Sequence, residues 1–570
     1  MIFPTIEFAA FFLVVFTLSW LLMPHQRVWK PFILAASYFF YGYADVRFTL
    51  LLAASTLLNQ AGAIAVHRAA GQRLRKALLF TTVIGNLGLL GWFKYYGFLV
   101  DSVDSALRSV GLGAPLPFLR IALPVGISFF TFMAMSYVID VYRREIQPTS
   151  LINFAVYEAF FPHLVAGPIV RASEFVPQLQ GPRNPRDIPA ARAFFLIMGG
   201  LFKKVVLAEL LATHIVDPVF NSPDAHSAPE ILFATYGYAV QIFCDFSAYS
   251  EMAIGFALLL GFRFPDNFNR PYTATSLGDY WHRWHMTLSR WLRDYLYIPL
   301  GGNRRGPKRT YVNLVVTMLL GGLWHGAAWT YVIWGGIHGT GLCVEHWWGE
   351  RKARRRRTRA RTPYPSPDMP PAGHVQVLPG DHYPIAYPIA YPIAGARPLP
   401  GRAVPKPHPA AAARLEGAGL AGQGLAGQGL AAQGPAPSAV AVAAAPEVSV
   451  GQDDQPSVVG IWVCRIVTFN VICLAFIFFR SPDLSSAFSA LGVLFTGWGQ
   501  PSPLITPTVL LAIAVGIGVQ YLPTRFWDRL QLRFSLIRPA VQGLLLGLGI
   551  VVFHTLVPHT GIAPFIYFRF

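Results

Sequence analysis

Long apolar runs separated by short polar or basic links make up most of the chain. Residues 6–23, 31–44, 47–66, 77–99, 121–141, 191–212 and 231–260 are such runs, as are 311–324, 326–348, 458–479, 508–522 and 539–557. A helix needs about 20 apolar residues to cross a bilayer core, so the pattern predicts roughly eleven transmembrane helices. The fold class is therefore all-α and polytopic.

Two regions depart from the pattern without becoming solvent loops. In 157–171, Pro162, Gly167 and Pro168 break any straight helix. Broken backbone is tolerated at membrane depth only when it is buried in protein or lines a cavity. The same holds for 262–310, where Asn267-Phe268-Asn269-Arg270-Pro271 precedes a charged, aromatic stretch and Gly301-Gly302-Asn303-Arg304-Arg305 follows it. Re-entrant or interfacial helices are expected in both.

Residues 349–457 differ in kind. A cluster of Lys and Arg at 351–361 opens onto Pro-rich sequence, a repeat of Tyr383-Pro384-Ile385-Ala386, and Gly-Leu-Ala-Gly-Gln repeats around 419–434. Such a composition cannot bury a core, so a disordered insert is expected there. It divides the membrane core into 1–348 and 458–570.

Charge sharpens the picture. Only 13% of the 570 residues are charged and 54% are hydrophobic, against about 25% charged in a typical soluble protein. The net charge of +18 lies partly in 351–456, with twelve Lys and Arg against six Asp and Glu, and otherwise in short runs between apolar segments. That placement fits a positive-inside signal and contact with anionic lipid, and argues against nucleic acid. His25, Arg27 and Lys30 follow the first span, which puts the N-terminus in the periplasm; the cluster at 351–361 puts the insert in the cytoplasm. No secretory leader pattern precedes the first span, so it is expected to be retained. Cys244, Cys343, Cys464 and Cys473 form no CxxC pair and read as small core residues.

Candidate chemistry concentrates between Asp279 and Gly326. His325 sits in the apolar run Gly321-Gly322-Leu323-Trp324-His325-Gly326, where a neutral imidazole can take a proton from an attacking hydroxyl and return it to a leaving group. A buried histidine bonded between helices is the alternative. In Asp279–Tyr295, helical spacing would pair Asp279 with Arg283 and Arg290 with Asp294. It would also stack Trp281, Trp284, Leu288 and Trp291 in one stripe, flanked by His282 and His285. An interfacial helix with a tryptophan belt reads equally well there. A metal site from His282, His285 and His325 lacks the HExxH logic and a carboxylate at ligand spacing, so none is expected. No nucleophile elbow, phosphate loop or dinucleotide fingerprint is present, which argues against covalent serine catalysis and nucleotide hydrolysis.

Six segments stand in order along the chain. They are Pro-Val-Gly-Ile-Ser-Phe-Phe-Thr-Phe (124–132), Phe-Pro-His-Leu-Val-Ala-Gly-Pro (161–168) and Asp-Phe-Ser-Ala-Tyr-Ser-Glu-Met-Ala-Ile-Gly (245–255). Asn-Phe-Asn-Arg-Pro-Tyr (267–272), Trp-His-Arg-Trp-His-Met-Thr-Leu-Ser-Arg-Trp (281–291) and Leu-Trp-His-Gly (323–326) complete the set. Together they resemble the membrane-bound O-acyltransferase family. The resemblance implies a ring of tilted helices around a thinned centre, with a central tunnel where a cytoplasmic acyl donor meets an acceptor from the other side. The family's catalytic histidine matches His325, and a second polar position matches His285. His163, Asp279, His282, Arg283 and Trp324 are candidate substrate-binding residues.

The function so implied is alginate-type O-acetylation: an acetyl group moves from acetyl-CoA toward an exported polysaccharide, in the inner membrane of a bacterium. The donor is a substrate; no bound cofactor is expected. The polysaccharide-modifying branch works with a periplasmic SGNH-hydrolase-like partner. Arg304, Arg305, Lys308 and Arg309 could attract the donor's phosphates. Two rivals stand beside this: D-alanyl or other acyl transfer to a cell-envelope polymer, and a non-catalytic transporter of lipid-linked sugar. The second predicts repeats between the halves of the chain, and none is visible.

Overall fold

A 32-residue helix, Ala228–Leu259, forms the post on which the rest is hung. Pro229 stands in its first turn. The Ser227 hydroxyl accepts from the Glu230 N–H, and the Glu230 carboxylate from the Ser227 N–H, a reciprocal cap for two orphan donors. Its polar and apolar residues do not sort onto opposite faces, and 89% of its most apolar window is buried, as expected of a helix without a separate polar face. Ala190–Phe202, Val458–Arg480, Leu484–Thr496 and Pro507–Gly518 pack around it. The structure is a computed structural model that describes residues 1, 3–112, 121–361 and 457–556, and among these it is helical without strands. Met1–Arg359 and Pro456–Phe570 belong to one compact unit; the expected insert lies almost wholly outside the described residues.

Four described helices are long and apolar enough to cross a membrane: Arg47–Arg68, Gln72–Ser109, Ala228–Leu259 and Val458–Arg480. A fifth span results if Pro507–Tyr521 and Thr524–Ser535, bent by 90°, count as one. The expected eleven are not all met, for reasons of length and continuity. Gln26–Gly42 and Ile127–Arg143 have 17 residues each, a rise of about 26 Å. The run 191–212 is interrupted by π-turns at Lys203–Ala208 and Ala212–Val216. Pro307–His325 carries Lys308 and Arg309 in its first turn. Large apolar side chains such as Leu13, Leu50, Ile84, Trp462 and Leu544 point outward, which suits a surface facing lipid rather than water. Of the cysteines expected in the core, Cys244 and Cys473 are buried, Cys343 is half-buried and Cys464 is exposed.

In lipid the hydrophobic effect does not hold helices together, so close backbone packing and buried polar contacts must. Pro307–His325 and Trp329–Arg361 show this. A Cβ on Gly322 would run into the Tyr331 carbonyl, and one on Gly335 into the Met318 carbonyl. The approach fixes the hairpin that carries His325 at its bend.

The stretch 279–295 is not one helix. Leu277–Trp281 and Met286–Leu292 are separated by a turn ending at His285, whose φ of 42° is left-handed. The turn is tied to the segment before it: Asn269 N–H donates to the Arg283 carbonyl at 2.8 Å and Met286 N–H to the Asn267 carbonyl at 2.9 Å. Arg283 pairs with Asp279 at 2.6 Å as spacing predicted. Arg290 does not pair with Asp294; it meets Glu174 at 3.2 Å, while Asp294 is held by Arg171 at 2.6 Å and Arg293 at 2.5 Å. Burial works against the Asp294 charge, but these two guanidinium groups outweigh it and hold the carboxyl below its ordinary value.

Candidate active site

Asn267 decides which ring nitrogen of His285 carries the proton. Its Oδ1 accepts from the Thr287 N–H at 3.2 Å and from the Thr287 hydroxyl at 2.9 Å, and its Nδ2 donates to Ser250 Oγ at 3.0 Å. That same oxygen lies 3.1 Å from His285 Nδ1, so Nδ1–H donates and Nε2 keeps its lone pair. Nε2 is buried and has no hydrogen-bond partner within the described chain. Burial lowers the ring's pKa to about 3, so it is neutral. Thr287 Oγ1 also accepts from the Ile169 N–H at 3.0 Å, which joins the broken segment at 161–170 to the same network. A left-handed backbone on a non-glycine residue is costly, and such strain gathers at functional sites.

His325 ends its helix with the ring buried among aromatics: Trp324 and Trp334 at 5.0 Å between centroids, Phe479 at 5.4 Å. The Trp324 ring lies 6.0 Å from the His285 ring, and Phe246 meets His285 edge-on at 4.6 Å. Trp324 therefore stands against both histidines, with Phe129 and Phe132 on its other sides at 5.4 Å. The two histidines singled out from sequence come from separate helices and share one desolvated aromatic cluster. A neutral imidazole in such a place can act as general base, because no water competes for the proton.

The other expected residues are placed less uniformly. Trp324 belongs to the cluster. His282 Nδ1 lies 2.6 Å from the Gly278 carbonyl, and Asp279 bonds Arg283, so these three brace the first half of the turn. The Gly278 N–H beside them donates to Glu345 at 2.9 Å, tying the turn to Trp329–Arg361. His163 lies in a cage of Phe160, Phe175 and Phe264, with Nε2 donating to the Tyr157 carbonyl at 2.8 Å; none of its described contacts reaches His285 or His325. Arg304, Arg305, Lys308 and Arg309 are exposed.

Two residues escaped the sequence reading. His338 is buried beside Trp334 at 4.7 Å and Trp281 at 5.3 Å, and neither ring nitrogen has a hydrogen-bond partner within the described chain. Its spacing from Trp334 was a usable signal, since residues four apart share a helix face. Lys94, with Ser128, Gly126, Val165 and Trp324, lines a pocket of about 40 Å³ beside the cluster.

The profile of the membrane-bound O-acyltransferase family matches residues 10–366. A protein of Azotobacter vinelandii named "Probable alginate O-acetylase AlgI" is 44% identical over 348 residues, 60% of this chain and 68% of the relative. A "Peptidoglycan O-acetyltransferase" of Helicobacter pylori is 37% identical over 344 residues, 55% and 64% of the two chains. A "Teichoic acid D-alanyltransferase" of Streptococcus thermophilus is 30% identical over 247 residues, 40% and 58% of the two.

Proposed function

Because the chain belongs to the membrane-bound O-acyltransferase family, we propose that it moves an acetyl group from a cytoplasmic donor toward an exported polysaccharide, as in alginate-type O-acetylation. The carrying observation is His285, neutral and with a free lone pair, set with His325 in one water-poor aromatic cluster.

His325 is the general base in this reading. As the acceptor hydroxyl attacks the thioester carbonyl, a His325 ring nitrogen takes its proton. The C–S bond breaks, the O–C bond stands in its place, and the proton passes to the departing thiolate. His285 Nε2 accepts a hydrogen bond from a neighbouring hydroxyl of the polysaccharide, not the attacking one, and so orients the acceptor. Trp324 walls both histidines off from water, and Asp279, His282 and Arg283 hold the turn from which His285 projects.

The donor is acetyl-CoA, approaching from the cytoplasm past Arg304, Arg305, Lys308 and Arg309. The chain sits in the bacterial inner membrane with its N-terminus in the periplasm and residues 349–457 in the cytoplasm. Roughly eleven spans, several short and tilted, surround a central tunnel, and a periplasmic SGNH-hydrolase-like partner finishes the transfer. The basic runs at 67–76, 304–309 and 351–361 support this orientation.

The test is chemical analysis of exported polysaccharide from cells with and without the gene. Loss of ester-bound acetate on deletion, restored by the intact gene, is expected. Unchanged acetate contradicts the reading. The similarity to a D-alanyltransferase supports a second reading, for which ester-linked D-alanine would be lost instead.

A further inference from the structure

A helix leaves its last four carbonyls without intrahelical partners. For Pro307–His325 these belong to Gly322, Leu323, Trp324 and His325. Most of them are met from a helix far away in sequence. Lys94 Nζ donates to the Trp324 carbonyl at 2.5 Å and to the His325 carbonyl at 3.2 Å. The Tyr95 hydroxyl donates to the Leu323 carbonyl at 2.9 Å. Lys94 Nζ also lies 3.4 Å from Ser128 Oγ and 5.8 Å from the Trp324 ring centre.

The way Lys94 and Tyr95 reach one target together has a local cause. They are consecutive, and on a regular α-helix consecutive side chains diverge by about 100°. Here Gly91–Tyr95 is a π-turn inserted between Gln72–Leu90 and Tyr96–Ser109. The extra residue re-aims the side chains at the end of the turn, and π-turns of this kind gather at functional sites.

We propose that Lys94, with Tyr95, is a positioning residue for the acyl-transfer reaction: it clamps the C-terminal carbonyls of Pro307–His325 and so fixes the backbone from which the His325 ring is presented. The inference rests on the reading of His325 as the base. Lys94 touches no reacting atom. It acts through the carbonyls of Trp324 and His325, and therefore on both the base and the wall between the two histidines. The π-turn places the clamp within one helix that runs Gln72–Ser109, so a shift of that helix would move His325 with it.

The experiment uses the full chain in inverted membrane vesicles, with radiolabelled acetyl-CoA as donor and rates normalised to folded, monodisperse protein. Misplacement by about 1 Å can cost about 100-fold, so Lys94→Met should lower kcat by roughly 10- to 100-fold. KM for acetyl-CoA should stay within about threefold, because the lesion acts on the base and not on donor binding. Lys94→Arg, which keeps N–H donors at the end of a long stem, should return kcat to within about fivefold of wild type. Tyr95→Phe should lower kcat by about threefold.

A folded Lys94→Met protein with wild-type kcat overturns the inference. So does one whose KM rises while kcat holds, since Lys94 would then bind the donor. Where Lys94→Met does not fold, Tyr95→Phe decides, and an unchanged kcat overturns the clamp. His325→Gln separates this inference from the reading beneath it. If that variant is active, His325 is not the base and both fall. If it is inactive while Lys94→Met runs at full rate, the clamp alone falls.

Discussion

His163 and His285 are alike in every property usually taken to mark an active histidine, yet their surroundings differ in one decisive way. Both are fully buried, both lie in broken segments, and burial lowers their pKa values to about 4 and about 3. Each has one ring nitrogen bonded, to the Tyr157 carbonyl and to Asn267 respectively, and the other without a hydrogen-bond partner within the described chain. But the rings around His163 are Tyr157, Phe160, Phe175 and Phe264, while His285 shares Trp324 with a second histidine. In the proposed reading it is the convergence of a second imidazole on the same desolvated space, beyond burial and a free lone pair, that sets His285 apart from His163.

That contrast orders the mutational outcomes. His325→Ala should have the largest effect, lowering ester formation by about 10²–10⁴-fold at unchanged abundance, because general-base catalysis supplies about that much; acetate per sugar against protein level checks it. His285→Ala should cost about 10- to 100-fold, since orientation is lost but the base remains. An effect exceeding that of His325→Ala would exchange the two roles.

Asn267→Ala probes the network instead of the ring. It frees the His285 tautomer, leaves the Thr287 hydroxyl without an acceptor for its proton and takes from Ser250 its Asn267 donor, so activity should drop by about tenfold. Each buried polar group left unmatched should also cost about 1–3 kcal/mol, visible as a lower melting temperature in detergent. If the thermal loss appears without the kinetic one, Asn267 is packing alone.

His163→Phe should leave acetylation within about threefold of wild type. Its consequence is for stability against acid. The folded-state pKa of His163 lies below the ordinary 6.5, so its stabilising contribution is complete above pH 6.5 and is lost as pH falls toward about 4. His163→Phe removes that proton uptake, and melting temperature measured from pH 7 to pH 5 should fall less steeply than in wild type.

Much of this was legible in the sequence because the signals were local. The paired charges Asp279 and Arg283, the prolines at 162 and 168, and Trp324 beside His325 each act within a helical turn or two. The helix break at His285 was not legible, since Met286–Leu292 continues the same aromatic periodicity and the left-handed residue is held by Asn267, remote in sequence. The partners of Arg290 and Asp294 changed for the same reason: Glu174 and Arg171 come from another segment. Lys94 escaped because one inserted residue in a π-turn leaves an apolar run looking regular. The span count rested on hydropathy alone, which registers neither the π-turns nor the 17-residue length of several helices.

The most direct measurement sets His325→Gln beside His163→Gln in the same cells, scoring ester-bound acetate per sugar and the amount of each protein in the membrane. Glutamine keeps volume and a hydrogen bond but cannot take a proton. The expected result is both variants at wild-type abundance, with acetate near background for His325→Gln and near wild type for His163→Gln. A normally abundant, active His325→Gln protein would contradict the assignment of His325 as the base.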